Sequence, residues 1–429
     1  MKLSLTNIGK IKNAVVEING ITIIAGENNT GKSTVGKALF SVFNGFHNTH
    51  AQIREAKTEG IVKLLDNFLI DTGLFFSSID SYSLSEDIVG EIEKRKNIEV
   101  ETVSFIVEEK IKGHCALHGL DPNFKKISSD VLFSILDVFK ISEESILEKI
   151  IGNRVYEEFN GQITDINQIS HLAGCIKLTV DTNNAEVILV DNSVEKIIDP
   201  LNLRTEAVYI DNPFIVDSLP GIIHGNRRSK FRDKYQHDWH LSSKITTQFS
   251  PNIVSQIILD KRFVSMFKKI GLASGVDWRG AKTAYIKINS YGNEQRLNIK
   301  NLSTGMKTFF IIKVLLTNGT LKENGTLILD EPEIHLHPEW QILFAELIVL
   351  LQKEFNMHIL LNTHSPYFLR AIEVYAGKHE IADKCKYYLS GLGEDGYAKI
   401  DDVSDNVEAI YAKLAEPFQI LENESIAND

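Results

Sequence analysis

The residues best suited to chemistry begin with a glycine-rich stretch, GENNTGKST, at 26–34. Gly26, Gly31, Lys32 and Ser33 match the spacing G-x-x-x-x-G-K-[ST], in which backbone N–H groups and a helix N-terminus donate to phosphate. The lysine reaches the terminal phosphates and the serine hydroxyl binds Mg²⁺. A β-branched run, ITIIA, precedes this stretch, and an amphipathic pattern follows it. The sequence therefore predicts a phosphate-binding loop between a buried strand and a helix.

An acidic pair follows a second apolar run, TLILD, which ends at Asp330. A carboxylate at the end of a buried strand can hold Mg²⁺, directly or through water, opposite Ser33. Glu331, the next residue, is placed to orient or deprotonate an attacking water. Such a pair alone is more often an exposed turn, but the phosphate-binding loop in the same chain favours the functional interpretation.

Histidines follow both of the late apolar strands. His364 comes after HILLNT, where an imidazole beside a γ-phosphate can donate a hydrogen bond and sense hydrolysis; the alternative is a histidine that caps the next helix. His335 and His337 form an H-x-H, but two imidazoles without a third ligand make a weak metal site. We therefore prefer a loop role beside Glu331 for that pair.

A serine-glycine turn, LSTGMK at 302–307, lies far along the chain at the head of an apolar helix. Ser303 and the backbone N–H of Gly305 sit at a predicted helix N-terminus, where geometry and the helix dipole favour an anion. Taken alone, the same residues are a plain serine N-cap. Their distance from the first loop raises the question of whose phosphate they would bind.

The whole composition limits the class of protein. The chain has 429 residues, 43% apolar and 24% charged, as in soluble globular proteins, and a net charge of −11 argues against a whole-molecule attraction to nucleic acid or anionic lipid. Three scattered cysteines predict a reducing compartment without a disulfide framework. The N-terminus lacks a signal-peptide pattern, and the apolar stretch 340–352 is too short to span a bilayer. We expect a cytoplasmic protein with no membrane contact.

The pattern along the chain predicts an α/β core split by helices. It contains a hairpin at 2–18 and the β-like runs CIKLTV, AEVILV and EAVYI. Strands that alternate with helices in the last third indicate a parallel sheet there. The predicted boundaries are 1–48 for the first part with the loop, 49–165 for a helical insertion, 166–390 for the remainder of the core and 391–429 for a C-terminal tail.

A basic segment lies within 224–237, a polar loop with a single aspartate. Such a run is usually solvated, but it is also the one candidate for contact with DNA backbone phosphates. Its basic residues are Arg227, Arg228, Lys230, Arg232 and Lys234.

Together the motifs resemble those of a known family. The loop at 26–34, the turn at 302–306, the acidic strand end at 327–332 and Thr363–His364 follow the order of P-loop, signature, Walker B and switch histidine. This order resembles the ABC-type ATPase head of P-loop NTPases. GENNTGKST and DEPEIHLHP are similar to its SMC/RecF/OLD-like branch, including anti-phage defence ATPases such as the Septu PtuA type.

The resemblance implies a fold, a cofactor and a set of roles. The fold is an ABC-ATPase head with a mixed sheet, a β lobe and a helical insertion, and the cofactors are ATP and Mg²⁺. Glu331 and His364 would be catalytic, and Ser33 and Asp330 would hold the metal. In the family the signature binds the nucleotide of a second subunit, so a head-to-tail homodimer or higher oligomer is expected. The nucleotide-binding residues would be Gly26, Asn28, Asn29, Thr30, Gly31, Lys32, Ser33, Thr34, Ser303 and Gly305.

Departures and alternatives remain at this stage. Thr304 and Met306 replace the more frequent signature residues. The glutamine loop of the family cannot be placed, and Asp211 or Asn212 is the candidate to replace its glutamine. The expected function is an ATPase whose dimerisation gates a separately encoded effector such as a nuclease or toxin, without a nuclease of its own. The alternatives are a RecF/SMC-like DNA-repair or clamp ATPase and, less favoured, a transporter subunit.

Overall fold

The computed structural model describes most of the chain. The described residues are 1–71, 79–95, 97–121, 126–164, 172–224, 234–247, 257, 261, 263–270, 272–277, 285–290 and 293–427. They form two compact units: Met1–His47 with Ile151–Asp429, which we name the head unit, and Asn48–Ile150, which we name the helical unit. The insertion predicted at 49–165 overlaps the helical unit but extends further, into residues of the head unit.

Fourteen strands are described in the head unit. They are β1 (Lys2–Ile8), β2 (Ile11–Glu17), β3 (Ile21–Gly26), β4 (Gly174–Val180), β5 (Asn183–Val190), β6 (Ser193–Ile198), β7 (Ala207–Ile210), β8 (Leu272–Asp277), β9 (Tyr285–Ser290), β10 (Asn293–Asn298), β11 (Thr326–Asp330), β12 (His358–Thr363), β13 (Cys385–Leu392) and β14 (Ala398–Asp402). Eleven of these strands form one sheet in the order β6-β5-β4-β1-β2-β14-β13-β3-β12-β11-β7, and β10-β9-β8 form another.

Thirteen helices are described. They are α1 (Lys32–Gly45), α2 (Thr49–Asp71), α3 (Ser81–Ile92), α4 (Val100–Leu117), α5 (Ser129–Lys140), α6 (Glu143–Glu158), α7 (Ile215–His224), α8 (His237–Thr246), α9 (Val264–Lys269), α10 (Thr304–Thr317), α11 (Pro338–Phe355), α12 (Pro366–Lys378) and α13 (Glu408–Ala427). Ser365 caps α12 by accepting from Phe368 N, with Pro366 at the first helical position, as the Ser–Pro pair predicts.

The large sheet is mixed. Strands β13, β3, β12, β11 and β7 run parallel to one another, β14 pairs antiparallel with β13, and β1, β2, β4, β5 and β6 form an antiparallel lobe. All six residues of β3 are buried, as a central parallel strand requires. The predicted α/β class, with a mixed sheet and a β lobe, is confirmed.

The parallel strands end at one edge of the sheet. In register, Gly26 of β3 is opposite Ser390, and Ala25 is opposite Thr363 of β12. Asn362 of β12 is in turn opposite Asp330 of β11. The carboxyl ends of parallel strands are where ligands bind in α/β sheets. The motifs found in the sequence therefore meet at one edge.

The helical unit has its own apolar core. Residues spaced by three and four along α2, α3, α4 and α5 are buried together, as in any amphipathic helix bundle. Members of this core include Ile61, Leu65, Leu84, Ile88, Val103, Val107, Ile111 and Ile135.

The C-terminal region differs from the sequence prediction. Residues 391–429 do not form a separate tail, because Ala398–Asp402 form β14, which pairs with β13 and joins the large sheet. Ala398 N also donates to Lys10 O at 2.9 Å. The strand has only five residues, three of them exposed, so its sequence resembles a polar turn. Strand β6 was not predicted either, and it lies at an exposed edge of the sheet.

Candidate functional site

The phosphate-binding loop joins β3 to α1, as predicted. Gly26 has φ +151°, and a Cβ there would lie 2.0 Å from the carbonyl oxygen of Ser390. Gly31 has φ +85°, and a Cβ would meet Ile11 at 3.0 Å. Both glycines are therefore required by the backbone path. No side chain caps the start of α1, and Ser33 is exposed, so the first N–H groups of α1 and this hydroxyl face outward together.

Two side chains brace the loop from within. The Lys32 ammonium is buried and donates to Gly26 O at 3.0 Å and to Glu27 O. Burial lowers the pKa of Lys32, while the carboxylates of Glu331 and Asp330 oppose that change. Thr30 Oγ1 donates to Glu27 O at 2.7 Å. The lysine thus lies beside the acidic pair, and carbonyl oxygens hold its ammonium in place.

The other predicted loop residues occupy exposed or partly exposed positions. Asn28 and Asn29 are exposed, and Asn29 adopts φ +64°, a left-handed conformation that asparagine tolerates. Thr34 is half-buried in the first turn of α1. Their contact with a nucleotide remains a prediction.

Asp330 is held by two donors. It is buried at the end of β11, where the Tyr209 hydroxyl donates to Oδ2 and Asn362 Nδ2 donates to Oδ1, both at 2.9 Å. These contacts fix the direction of the carboxylate. Sequence reasoning found the aspartate but missed Tyr209, because nothing local to β7 indicates a partner 121 residues away.

Glu331 and His364, the two predicted catalytic residues, lie next to each other. His364 Nδ1 is 3.3 Å from Glu331 Oε1, and both side chains are partly exposed. Glu331 has φ +49°, which is unfavourable for a glutamate, and its N–H donates to Asn362 O at 2.9 Å. Strained backbone of this kind is concentrated at functional sites. The loop after β11 and the end of β12 are thus joined through main-chain contacts.

Glu333 is a site residue that the sequence interpretation did not single out. It is only 2% exposed, and its Oε1 accepts from Thr363 Oγ1 and from His364 N. Burial raises the pKa of Glu333. The one sequence feature that could have identified Glu333 is its position three residues after Asp330, but a third acidic residue in a loop does not by itself indicate a role. Glu333 fixes the backbone that carries His364.

The signature turn forms the start of α10. Ser303 is exposed and accepts from Met306 N at 3.3 Å, so it is an N-cap, as one alternative held. A Cβ on Gly305 would lie 3.0 Å from Trp340 and 3.3 Å from Leu336. In the described ranges, the turn packs against Leu336 and Trp340, and its Lys307 donates to Asp217 of α7 at 2.8 Å, whereas no hydrogen bond or ion pair joins it to the loop at 26–34.

Several predicted features remain untested. Arg227, Arg228, Lys230 and Arg232 lie outside the described residues, and Lys234 lies over the Tyr235 ring at 5.2 Å. His335 packs edge-on against Phe214.

Over the described ranges, the cluster able to hold a metal ion is not the His335–His337 pair but Asp211, His237 and Asp238. No described helix has the length and apolar character needed to cross a membrane.

The arrangement fits a magnesium nucleotide. The uncapped start of α1 offers N–H donors, Lys32 offers a positive charge, and Ser33 and Asp330 offer the few oxygen ligands that Mg²⁺ takes from protein in nucleotide sites. A strand, a glycine loop with the required backbone angles, a helix and an acidic strand end define a P-loop NTPase site. The chain belongs to the AAA ATPase domain family, which matches residues 1–369.

Two curated relatives carry related descriptions. The chain is 28% identical to the Retron Vc95 probable ATPase of Vibrio cholerae serotype O1 biovar El Tor, over 21% of this chain and 20% of that protein. It is 24% identical to the Retron Ec83 probable ATPase of Escherichia coli, over 44% of this chain and 36% of that protein. The matched segments thus span about a fifth and about a third of those relatives.

Three solved structures resemble the chain over nearly its whole length. The SMC head domain from Thermotoga maritima is 10% identical with a TM-score of 0.38, covering 94% of this chain and 98% of its own. The SmcHead bound to the C-winged helix domain of ScpA is 11% identical with a TM-score of 0.46, covering 94% and 97%. The Smc head bound to ScpA from Pyrococcus furiosus is 12% identical with a TM-score of 0.41, covering 99% and 98%. Scores below 0.5 add nothing to the fold assignment.

Proposed function

We propose that this SMC/AAA-type ATPase hydrolyses ATP at a site shared between two copies, and that the resulting dimerisation gates a separately encoded effector in anti-phage defence. One observation carries the proposal. The side chains predicted to bind and hydrolyse nucleotide lie together at one sheet edge, while the contacts of the exposed turn at Ser303, the predicted second anion site, lie elsewhere.

The residues at the sheet edge divide the chemistry between them. Lys32 and the N–H groups of the loop bind the β- and γ-phosphates. Ser33 and Asp330 would hold Mg²⁺, which when bound neutralises charge on those phosphates. Glu331 orients the attacking water and accepts its proton, and His364 donates a hydrogen bond to the γ-phosphate.

The second copy contributes the Ser303 turn. Its hydroxyl and the N–H of Gly305 lie at the start of α10, where the helix dipole favours a phosphate. Two heads packed head-to-tail about a two-fold axis would contain two such shared sites, since the arrangement is reciprocal. ATP would therefore join the two copies, and hydrolysis would release them.

The relatives and the sequence resemblance point to the biological role. The resemblance to Septu-type ATPases and the descriptions of the two relatives as retron ATPases favour a defence role. The partner surface is proposed on the helical unit, where Phe105, Leu117 and Phe133 are exposed. A nuclease or toxin is the expected partner, with no nuclease of its own and a cytoplasmic location. DNA contact through the basic segment remains a prediction.

Mixing two inactive variants tests the shared site. Lys32→Ala disables the loop of its own chain and Ser303→Arg disables the turn, so each alone should lack turnover. A mixed dimer contains one intact loop facing one intact turn, and a 1:1 mixture should regain about a quarter of wild-type sites. The control is a mixture of Lys32→Ala with Glu331→Gln, which act in the same half and should not restore activity. An inactive first mixture would contradict the proposal.

A further inference from the structure

A second cluster of ionisable side chains lies beside the nucleotide site, where the residue after β7 meets the start of α8. It contains Asp211, His237 and Asp238, with Glu158 from α6 behind the imidazole. Their ligand atoms, one from each of the first three residues, all lie within 4.8 Å of one another. Apart from Asp211, which the sequence offered as one candidate to replace the glutamine loop, none of these side chains has a role in the proposed hydrolysis.

The imidazole of His237 is held in one orientation. Its Nδ1 lies 2.6 Å from Glu158 Oε1, and its backbone N–H donates to Glu158 Oε2 at 3.0 Å. The ring stacks on Tyr209 with centroids 4.5 Å apart. Metal-binding histidines are commonly fixed in this way, with the non-ligating nitrogen donating to a carboxylate.

The other ring nitrogen faces two carboxylates without a well-aligned hydrogen bond to either. Nε2 of His237 is buried and, among described atoms, has no hydrogen-bond partner. Yet Asp211 Oδ2 lies 3.1 Å from it and Asp238 Oδ1 lies 3.6 Å from it. Two carboxylate oxygens thus surround a nitrogen with which neither makes a well-aligned hydrogen bond. Separations of this size are those between ligands that share one metal ion.

The charges around the ring also favour a cation. Three carboxylates surround a single imidazole, and burial together with the charges of Asp211 and Glu158 raises the pKa of Asp238. The side chains of Asp211 and Asp238 are 35% and 56% exposed, so water has access to complete a coordination sphere. His237 is only 11% exposed and closes the inner side.

We propose that His237 Nε2, Asp211 and Asp238 bind a divalent first-row transition ion, with Glu158 orienting the imidazole. One imidazole nitrogen and two carboxylates suit Mn²⁺ or Zn²⁺, whereas Mg²⁺ prefers ligands that are all oxygen. The site is distinct from the magnesium ligands Ser33 and Asp330. It adjoins them through Tyr209, which stacks on His237 and donates to Asp330.

Ion binding at this site must compete with a proton. Burial lowers the pKa of His237, but the close carboxylates of Asp211 and Glu158 outweigh it and raise that pKa to about 10. The ion must displace the Nε2 proton, so its binding releases a proton and strengthens as the pH rises. The ionisable groups facing the ring are Glu158, Asp211, Asp238, Tyr209 and, beside Glu158 and Asp211, Lys37.

Titration of the nucleotide-free protein with Mn²⁺ tests the proposal. The titration uses the Ser33→Ala variant, which lacks a proposed ligand of the nucleotide magnesium. We expect one Mn²⁺ per chain, measured by calorimetry and by the loss of free Mn²⁺ signal in electron paramagnetic resonance. Asp211→Asn with Asp238→Asn should abolish binding, and Glu158→Gln should weaken it about 10–100-fold. Zn²⁺ in place of Mn²⁺ should give the same pattern.

The matched control is Asp401→Asn, an exposed carboxylate on β14, five strands away from β7 in the sheet, which should not change Mn²⁺ binding. Thermal unfolding would show whether each variant is folded, and Asp238→Asn alone is a milder change at an exposed position. Absence of saturable Mn²⁺ binding between pH 7 and 9 would overturn the proposal and leave a protonated His237 bridging two carboxylates. Binding that survives the double substitution would overturn it as well. Neither result bears on ATP hydrolysis.

Discussion

The Tyr209 hydroxyl donates a hydrogen bond to Asp330 Oδ2 at 2.9 Å, deep in the head unit. Tyr209 is 1% exposed, and burial raises its pKa well above the ordinary value, so it donates at any physiological pH. With Asn362 on the other oxygen, the tyrosine fixes the carboxylate that we propose as the magnesium ligand. A residue on β7 therefore positions chemistry on β11.

Tyr209→Phe should weaken the magnesium dependence of hydrolysis without abolishing ATP binding. Loss of one hydrogen bond to a carboxylate, worth about 1.5 kcal/mol, predicts a roughly tenfold higher Mg²⁺ concentration at half-maximal ATPase rate. The measurement is a Mg²⁺ titration at saturating ATP. Tyr388→Phe is the control, since this buried tyrosine accepts from Glu17 N and is distant in sequence from the acidic pair. An equal effect in both variants would show that Tyr209 is merely structural.

Lys32→Ala should weaken ATP binding about 30–100-fold, because an ammonium that bonds phosphate is lost. Fluorescent nucleotide titration measures this. The control is Lys37→Ala. Lys37 lies on the same helix, and its ammonium donates to Glu158 O at 3.3 Å, so the alanine variant should bind ATP normally. Unchanged ATP affinity in Lys32→Ala would refute the phosphate-binding loop.

Glu333→Gln should change how stability depends on pH. Because burial raises the pKa of Glu333 above its ordinary value, the wild-type protein loses stability as pH rises from that ordinary value through the raised one. The glutamine cannot ionise, so the free energy of unfolding should fall less with pH than in wild type. Denaturant titrations from pH 4 to 8 measure the difference. Parallel pH profiles would show that Glu333 ionises normally.

Gly305→Ala should cost about 1–3 kcal/mol or displace the signature turn, since the added methyl group meets Trp340 at 3.0 Å. ATPase activity should fall with it if the turn serves a second copy. Gly377→Ala, in α12 with nothing within 4 Å, should be neutral or stabilising by up to about 1 kcal/mol. Thermal unfolding and ATPase rates, measured together, separate the two positions. Similar melting and full activity in Gly305→Ala would contradict the close packing.

The sequence predicted the elements whose signals are local. The loop at 26–34, the strand that ends at Asp330 and the helix that begins at Pro366 each carry a periodic pattern beside a punctuating residue, and all are present. Strand β14 was not predicted, because five mostly exposed residues give no periodic signal and form a strand only by pairing with β13.

The supporting contacts of the site were harder to predict. Tyr209, Asn362 and Glu333 act through partners brought together by the sheet register, which no local pattern encodes. The site residues with family spacing could be named from sequence, but their roles remain predictions. The second cluster, around His237, has no motif at all, since its members come from three separate elements.

The central claim is that ATP is enclosed between two copies of the chain. Glu331→Gln should bind ATP without hydrolysing it, and light scattering with ATP and Mg²⁺ should then give the mass of two chains, falling to one when Ser303→Arg is added. A Glu331→Gln protein that binds ATP yet remains the mass of one chain at every concentration would contradict the account.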